Sequence, residues 1–285
     1  MSTLQHKIDF AVIFTVNRAN PNGDPLNGNR PRTDYNGFGE VTDVCIKRKL
    51  RDRLAESGEN IFVQSEDRKT DDAKSLSDRA HKALGDKLGS AETAKLAPET
   101  WFDVRAFGQL FAFKSKKATT AKTRPQGAAP DDPGVSIPIR GPVTIQSAFS
   151  VKPVEVTSTQ ITKSVNSEGD GSKRGSDTMG MKHRVEAGVY VFYGSMNPQL
   201  AERTGFSDKD AEVIKKILPR LFENDASSAR PEGTMEVVKV FWWQHNSKAG
   251  QHSSAKVHRS LRVAEDGSST VESLAGLTPD QIDGF

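Results

Sequence analysis

The sequence predicts an α+β fold with six elements in the order strand, helix, strand, strand, helix, strand. Three observations support this prediction. The first strand alternates apolar and mixed positions with period two, two later segments repeat apolar residues at helical spacing, and three further runs are typical of strands. Long polar stretches separate the elements, so we expect large insertions between them.

The first two elements lie before residue 60. A strand is expected over 8–17, where every second residue is apolar and one face is therefore fully apolar. A helix is expected over 43–56, because Thr42 is a suitable N-cap and Gly58 a suitable end. Its apolar residues recur every four positions and predict an inward stripe: Ile46, Leu50 and Leu54.

The other four elements follow residue 140. Three runs are typical of strands: 141–156, which Pro142 and Pro153 confine, 188–196, and 235–245. A second helix is expected over 208–223, with Ser207 and Asp210 as its capping pair. Its apolar stripe is clean, and Pro219 should bend or locally break it.

The order of these elements is the split βαβ of ferredoxin-like and RNA-recognition-like folds. Between them, 17–32 is dense in Asn, Gly, Pro and Asp and predicts a shaped loop. We expect a charged helical or mobile excursion over 66–93 and a short helix within 101–113. Segment 114–134 has no apolar period and predicts a mobile basic loop, and 157–184 is polar and rich in glycine.

Composition excludes several classes of protein. The single cysteine, Cys45, allows neither an internal disulfide nor a C-x-x-C knuckle, so we expect a reducing cytoplasm. No apolar run approaches the roughly 20 residues that a membrane helix needs. The first eight residues hold no hydrophobic signal core, so we expect neither export nor a membrane partner.

The net charge of +3 hides an uneven distribution. There are 40 Lys and Arg against 37 Asp and Glu, and the acidic tail 264–285 holds five acids and no Lys or Arg. Residues 1–263 therefore carry 40 bases and 37 − 5 = 32 acids, a net charge of +8. Clustered bases over 46–54 and 104–130 favour a polyanionic partner, although solvated surface charge explains each cluster alone about as well.

No catalytic or metal-binding pattern rises above background. The six histidines lack zinc-ligand spacing, and there is no G-x-S-x-G, Walker A or G-x-G-x-x-G sequence. Asp24, Asp34 and Asp43 lie near the first loop, but turn formation or a helix first turn is the simpler role for them. We therefore expect no catalytic residue, no metal and no cofactor.

Nucleic-acid binding fits the residues better. The loop 17–32 presents backbone amides, asparagines and three arginines, which suit phosphate and 2′-hydroxyl contacts, although an ordinary connecting loop remains an alternative. The helix 43–56 places Lys47, Arg48 and Arg51 on one face. Trp242 and Trp243 are adjacent on a strand and point to opposite faces, so at least one belongs to the core.

Two runs in the first 54 residues carry a family resemblance, FAVIFTVNRANPNGDPLNGNRPR and GEVTDVCIKRKLRDRL. They resemble the amino-terminal signature of the type I-C CRISPR backbone subunit, the repeated RNA-binding member of the Cascade surveillance complex in the RAMP superfamily. The resemblance continues through QITKSV, TMGMKHRVEAGVYVFYGSM and MEVVKVFWW, and so extends over most of the chain.

The resemblance implies a palm with an RNA-recognition-like fold, formed by 1–60 and 139–263. It also implies a finger insertion over 61–138 and a thumb-like hairpin over 157–184. Several copies would stack along one CRISPR RNA, kink it at regular intervals and hold it for pairing with target DNA in an R-loop. The other partners implied are the RNA-processing subunit that binds the 5′ handle, the large subunit and the small subunit.

The residues that match the implied RNA-binding positions lie in three regions. They are Arg18, Asn20, Asn22, Asn27, Asn29, Arg30 and Arg32 in the loop; Lys47, Arg48 and Arg51 on the helix; and Lys163, Met179, Met181, Lys182, His183 and Arg184 in the thumb. Met179 and Met181 would form an apolar tip that wedges between bases. A loop facing the nucleic acid or the target strand would contribute Lys114, Lys116, Lys117, Lys122 and Arg124.

Two other functions remain open at this point. Related backbone subunits of type III complexes carry a loop aspartate that cleaves target RNA, and Asp24 or Asp34 is the candidate here for a metal-dependent ribonuclease. No aspartate matches that position securely, and the type I relatives are not nucleases, so we expect a non-catalytic protein. The second alternative is an RNA-binding protein that acts alone.

Overall fold

The computed structural model of the protein describes residues 2–113, 135–162 and 179–285. The strands are β1 (Ile8–Ala19), β2 (Gly23–Asp24), β3 (Arg30–Pro31), β4 (Phe38–Val41), β5 (Gly108–Phe113), β6 (Val135–Arg140), β7 (Val143–Ile145), β8 (Ala148–Pro153), β9 (Val156–Thr162), β10 (Met179–Met196), β11 (Met235–Gln244), β12 (Leu261–Val263), β13 (Ser269–Val271) and β14 (Asp280–Asp283). The helices are α1 (Asp43–Glu56), α2 (Leu76–Leu84), α3 (Thr93–Thr100), α4 (Phe102–Phe107), α5 (Pro198–Thr204), α6 (Asp208–Ile217) and α7 (Ser254–Ser260). Within the described ranges, no helix is long and apolar enough to cross a bilayer.

The core is an antiparallel sheet with the strand order β14-β11-β1-β10-β8-β4. The four strands predicted from the sequence lie together in the order β11, β1, β10 and β8, and neighbouring strands are antiparallel. This is the connectivity of a ferredoxin-like βαββαβ unit. The predicted α+β fold class is therefore confirmed.

Two helices cover one face of the sheet with the apolar stripes that their spacing predicts. The stripe of α1 is fully buried, and the Thr42 hydroxyl caps the helix by accepting a hydrogen bond from the Cys45 amide. Ser207 and Asp210 form a capping box at the start of α6. This helix ends at residue 217 and not at 223, because Pro219 lacks the amide hydrogen that would continue the helical ladder.

The predicted strand 141–156 is divided into β7, β8 and the start of β9, because each piece pairs with a different part of β10. The predicted strand 188–196 is the second half of β10, which begins at Met179. Residues 179–185 of β10 pair with β9, and we call these two paired segments the hairpin arm. The connecting residues 163–178 lie outside the described ranges.

The second face of the sheet is covered by the carboxyl-terminal residues. Val257, Leu261 and Leu277 pack on Phe241 and Trp243 in a second apolar cluster. The predicted acidic tail 264–285 is thus folded onto the body, and its β14 pairs with β11. Trp242 lies in the cluster beneath the helices, so both tryptophans are core residues on opposite faces, as their adjacency predicts.

Residues 61–113 and 135–140 form an insertion with an apolar cluster of its own. Phe62, Trp101 and Phe111 are at its centre, and α2 and α3 supply smaller side chains. The Asp103 carboxylate joins this insertion to the sheet domain. It accepts hydrogen bonds from the Phe62 amide (2.7 Å) and from Arg51 Nε of α1 (2.9 Å).

A buried polar network ties the carboxyl-terminal cover to β1. The fully buried Asp9 carboxylate accepts a hydrogen bond from His245 Nε2 at 2.9 Å, while His245 Nδ1 accepts one from the Gln251 amide. His258 Nε2 donates to the Gly194 carbonyl and lies 3.6 Å from Asp9 Oδ1. Burial lowers the pKa of His258 despite the Asp9 charge, so the folded state favours the neutral imidazole.

The lowered pKa of His258 predicts a pH-dependent stability. Between its folded pKa and the ordinary value of about 6.5, the unfolded chain binds more protons, so stability falls as pH decreases through this window. The charged groups near His258 are Asp9 and Lys7, and Asp9 keeps its charge there because its own pKa is lowered. The Tyr193 ring stacks on the imidazole, and burial raises the pKa of Tyr193, so it stays neutral in this range. We expect His258→Gln to reduce the slope of unfolding free energy against pH, by at most about 1.36 kcal/mol per pH unit.

Urea unfolding at a series of pH values measures this slope. His81→Gln is the matched control, because it removes an imidazole from the exposed side of α2, away from the Asp9 network. An equal slope in His258→Gln and wild type would contradict the role assigned to His258.

Candidate nucleic-acid interface

The loop 17–32 has a defined shape, as its composition predicts. β2 and β3 pair within it, and the Asp24 carboxylate accepts a hydrogen bond from the Leu26 amide at 3.1 Å. Gly28 and Asn29 both adopt the left-handed conformation, at φ +57° and +60°, which glycine and asparagine tolerate best. The loop therefore turns sharply and leaves Asn27 and Asn29 exposed.

Two asparagines of the loop point inward. Asn20 is buried, and its Nδ2 donates to the Asn29 carbonyl at 2.7 Å. Asn22 Oδ1 accepts hydrogen bonds from both the amide and the hydroxyl of Thr42, at 3.0 and 2.9 Å. These side chains hold the loop to itself and to the start of α1. These contacts give the loop its shape, and Asn20 also lines the groove described below.

The arginines of the loop differ in their surroundings. Arg18 is largely exposed, with Glu186 at 3.8 Å, and Arg32 lies 3.3 Å from Asp24. Arg30 Nη1 donates to the Ser158 hydroxyl of β9 at 2.7 Å. The same hydroxyl lies 2.8 Å from His183 Nδ1 on the paired strand, so Ser158 joins the loop to the hairpin arm.

A groove of about 250 Å³ lies between the loop and the hairpin arm. The segment 228–229 closes its third side. The lining residues are Asn20, Gly28, Asn29, Ile161, Met181, Lys182, His183, Ser228 and Ala229. The groove thus brings together predicted residues that are more than 150 positions apart in the sequence.

The hairpin arm combines exposed apolar side chains with bases. Met179, Met181 and Ile161 are 64%, 54% and 49% exposed, which is unusual for apolar residues on a paired strand. Arg184 forms an ion pair with Glu186 at 3.0 Å. A hydrogen bond from the Thr157 hydroxyl and the Arg184 pair hold the pKa of Glu186 below its usual value.

The basic face of α1 is neutralised within the chain. Lys47 pairs with Asp43 at 3.0 Å, and Arg51 pairs with Asp103 at 2.9 Å. Arg48 is the most exposed of the three predicted bases and lies 3.5 Å from Asp67 and 4.0 Å from Asp52. The helical spacing predicted their common face. Two of their four partner carboxylates, Asp67 and Asp103, belong to the insertion. The residue spacing along α1 could not predict these two partners.

Some of the predicted site residues lie outside the described ranges. They are Lys114, Lys116, Lys117, Lys122, Arg124 and Lys163.

The carboxylates considered for catalysis have local structural partners. Asp24 Oδ1 accepts from the Leu26 amide, and Asp34 Oδ1 accepts from the Asn36 and Phe38 amides at 2.8 and 2.9 Å. Among the residues that the structure describes, no group of three or more His, Cys, Asp or Glu side chains is placed to hold a metal. Burial raises the pKa of the Cys45 thiol, which opposes formation of a thiolate.

Sequence reasoning missed Ser158 and the segment 228–229. All three residues have small side chains, and none of them belongs to a recognisable sequence motif. Ser158 acquires its role from the register that places it opposite His183, and 228–229 from the fold of the chain after α6.

Comparison with known proteins gives one family. The model of the family described as CRISPR-associated protein Cas7 matches residues 6–278. A CRISPR-associated protein Cas7 of Haloferax volcanii is 27% identical over 298 aligned positions, which cover 98% of this chain and 82% of that protein.

Two solved structures are similar over 83% of the chain. One, titled CRISPR RNA-guided surveillance complex, pre-nicking, is 15% identical with a TM-score of 0.47 and 78% of its chain covered. The other, titled CRISPR RNA-guided surveillance complex, is 17% identical with a TM-score of 0.43 and 68% covered.

The inward position of Asn22 predicts a difference between two asparagines of one loop. Asn22→Ala removes the acceptor for two Thr42 donors and weakens the start of α1, at a cost of about 1–3 kcal/mol in unfolding free energy. Asn27→Ala changes an exposed side chain and should stay within about 0.5 kcal/mol of wild type. Urea unfolding of both variants measures the difference, and equal stabilities would show that Asn22 does not support α1.

Proposed function

Because this chain belongs to the Cas7 family of CRISPR-associated proteins, we propose that it is the backbone subunit of a type I-C surveillance complex. In this role, several copies bind one CRISPR RNA, keep it kinked and hold it ready for base pairing with target DNA. The copies contact one another in a filament, together with the RNA-processing, large and small subunits. We place this assembly in the cytoplasm.

The groove between the loop 17–32 and the hairpin arm is the observation that carries this proposal. It is lined by Lys182 and the exposed Asn29, and Arg30 follows Asn29 in the loop and reaches Ser158 of the hairpin arm. All three are donors suited to phosphate and 2′-hydroxyl oxygens. Arg18 and Arg184 lie beside it and share Glu186 as their carboxylate. A single RNA strand that follows this rim would be held through its backbone, and its bases would remain free to pair.

The covered second face of the sheet also favours the groove as the place where RNA binds. RNA-recognition folds stack bases on aromatic residues of an open sheet face. Here Phe241 and Trp243 of that face are buried under the carboxyl-terminal residues. Because these aromatic rings cannot stack on bases, we propose that RNA binds in the groove and on the hairpin arm instead.

The exposed methionines of the hairpin arm support a wedge. Met179 and Met181 are more than half exposed on a two-stranded arm. Methionine is flexible and apolar, and apolar side chains that insert between bases unstack them and kink the strand. We propose that these two residues kink the RNA held by a neighbouring copy.

The basic face of α1 takes a secondary part in this proposal. Lys47, Arg48 and Arg51 would contact phosphate only after exchanging a carboxylate of the chain for it. Arg48 is the best placed of the three, because it is the most exposed and its carboxylate partners are the most distant. We propose that the subunit is non-catalytic, in agreement with the local hydrogen bonds that occupy Asp24 and Asp34.

A double variant tests RNA binding in the groove. Arg30→Gln with Lys182→Gln should weaken binding of single-stranded RNA equally for all guide sequences, because in this proposal both side chains hold phosphates and not bases. Each lost phosphate contact should make the slope of log affinity against log salt concentration less negative by about 0.7. Fluorescence anisotropy between about 50 and 200 mM salt measures both quantities.

Lys87→Gln is the control for that experiment, since it removes an exposed base on the insertion, where Lys87 pairs with Glu92. Unchanged affinity in the double variant would show that RNA does not bind in the groove.

The assembly purified from the native host tests the wider proposal. We expect several copies of the chain on one CRISPR RNA of defined length, measured by native mass spectrometry and sequencing of the bound RNA. A monomer bound to random transcripts would contradict the backbone role. Regularly spaced cuts in guide-complementary RNA with Mg²⁺ would contradict a non-catalytic subunit.

A further inference from the structure

A largely buried charge cluster lies next to the groove and is centred on the Asp225 carboxylate. Its Oδ2 forms an ion pair with Lys49 Nζ of α1 and accepts a hydrogen bond from Arg230 Nε at 3.1 Å. The Lys49 side chain is 4% exposed and the Asp225 side chain 17%. One carboxylate therefore joins α1 to the segment 225–230.

The cluster continues into the loop 17–32. Arg230 Nη1 donates to the Asn20 carbonyl at 3.5 Å, and the Asn20 amide donates to the Ala229 carbonyl at 2.9 Å. Asn20 and Ala229 both line the groove. Contacts that pass through Asp225 thus join the wall at 228–229 to α1 and to the loop.

The charges of this cluster depend on one another. Burial alone would raise the pKa of Asp225, but the attraction of Lys49 and Arg230 outweighs burial and holds the pKa below its usual value. Without the carboxylate, Lys49 would be a buried ammonium beside the ring of Phe222, with its counter-ion lost. The segment 225–230 would then move until water reached Lys49, and the groove wall would move with it.

We propose that Asp225 is a positioning residue for RNA binding, which acts by holding the wall at 228–229 against the loop and does not contact RNA. This inference rests on the proposed RNA binding in the groove. The positioning role and a purely electrostatic role predict opposite changes in RNA affinity when the Asp225 charge is removed. Removal of a negative charge next to an RNA site strengthens binding through the general field, whereas loss of the wall weakens it.

Asp225→Asn is the decisive variant. We expect it to weaken binding of single-stranded RNA about tenfold, equivalent to about 1.4 kcal/mol, and to leave the salt slope unchanged because no phosphate contact is lost. Hydrogen exchange should become faster at the Asn20 amide, which donates to the Ala229 carbonyl and so joins the loop to the wall. It should also become faster at the Arg230 amide, whose hydrogen bond to the Ser227 carbonyl lies within the segment 225–230. Asp225→Glu keeps the charge and should bind with intermediate affinity.

Asp210→Asn is the matched control. Asp210 is similarly buried and pairs with Arg105 at 2.8 Å, but it lies at the start of α6 and does not line the groove. It should lower the melting temperature and leave RNA affinity unchanged, which separates a positioning effect from general destabilisation. If Asp225→Asn does not fold, as judged by circular dichroism, Asp225→Glu alone decides the question.

The outcomes distinguish this inference from the proposed function. If wild type binds RNA in a salt-dependent manner and Asp225→Asn binds equally well or more tightly, the positioning role is wrong and the groove proposal stands. If Asp225→Glu binds as wild type does while Asp225→Asn binds more tightly, the carboxylate acts only as a charge. If wild type binds no RNA, the proposed function fails, and this inference fails with it.

Discussion

The pairing of β1 with β10 on one side and β11 on the other is the constraint on which the rest of the structure depends. β1 is buried on both faces and sets the register of the two strands beside it. Ala19, its last residue, lies opposite Val185, where the hairpin arm leaves the sheet. The loop 17–32 and the hairpin arm therefore start side by side at one end of the sheet. The groove between them is a direct consequence of this register.

The carboxyl-terminal residues determine which surface remains for a ligand. They bury the middle of the second face and are held there by the Asp9 network with His245 and His258. A sheet covered on both faces cannot offer its central side chains to bases. The loops and arms at the strand ends remain exposed, and this is where we propose that RNA is held through its backbone.

The basic residues of this chain fall into two groups, those paired within the fold and those that lie near the groove. Bases on α1 are paired with carboxylates of the helix and of the insertion, and these pairs hold the parts of the fold together. Near the groove, Arg18 lies 3.8 Å from its carboxylate and Arg30 donates to a neutral hydroxyl, whereas Arg184 pairs with Glu186 as closely as Lys47 does with Asp43. Lys49 and Asp225 belong to the first group, yet they lie directly behind the groove. Through them the internal pairing of α1 reaches the surface that we propose binds RNA.

Local pattern alone determined several elements of this protein. The strand at 8–17, the α1 boundaries, the Ser207 capping box and the break at Pro219 all follow from side-chain periodicity and backbone chemistry within a few residues. The loop composition also predicted a shaped turn rich in donors. Only the tertiary structure decided that Asn20 and Asn22 face inward. It alone also decided that Arg51 pairs with Asp103, that Arg30 and His183 meet at Ser158, and that Asp225 pairs with Lys49. The reason is that burial and ion pairing are set by residues distant in sequence, which periodicity along one segment cannot report.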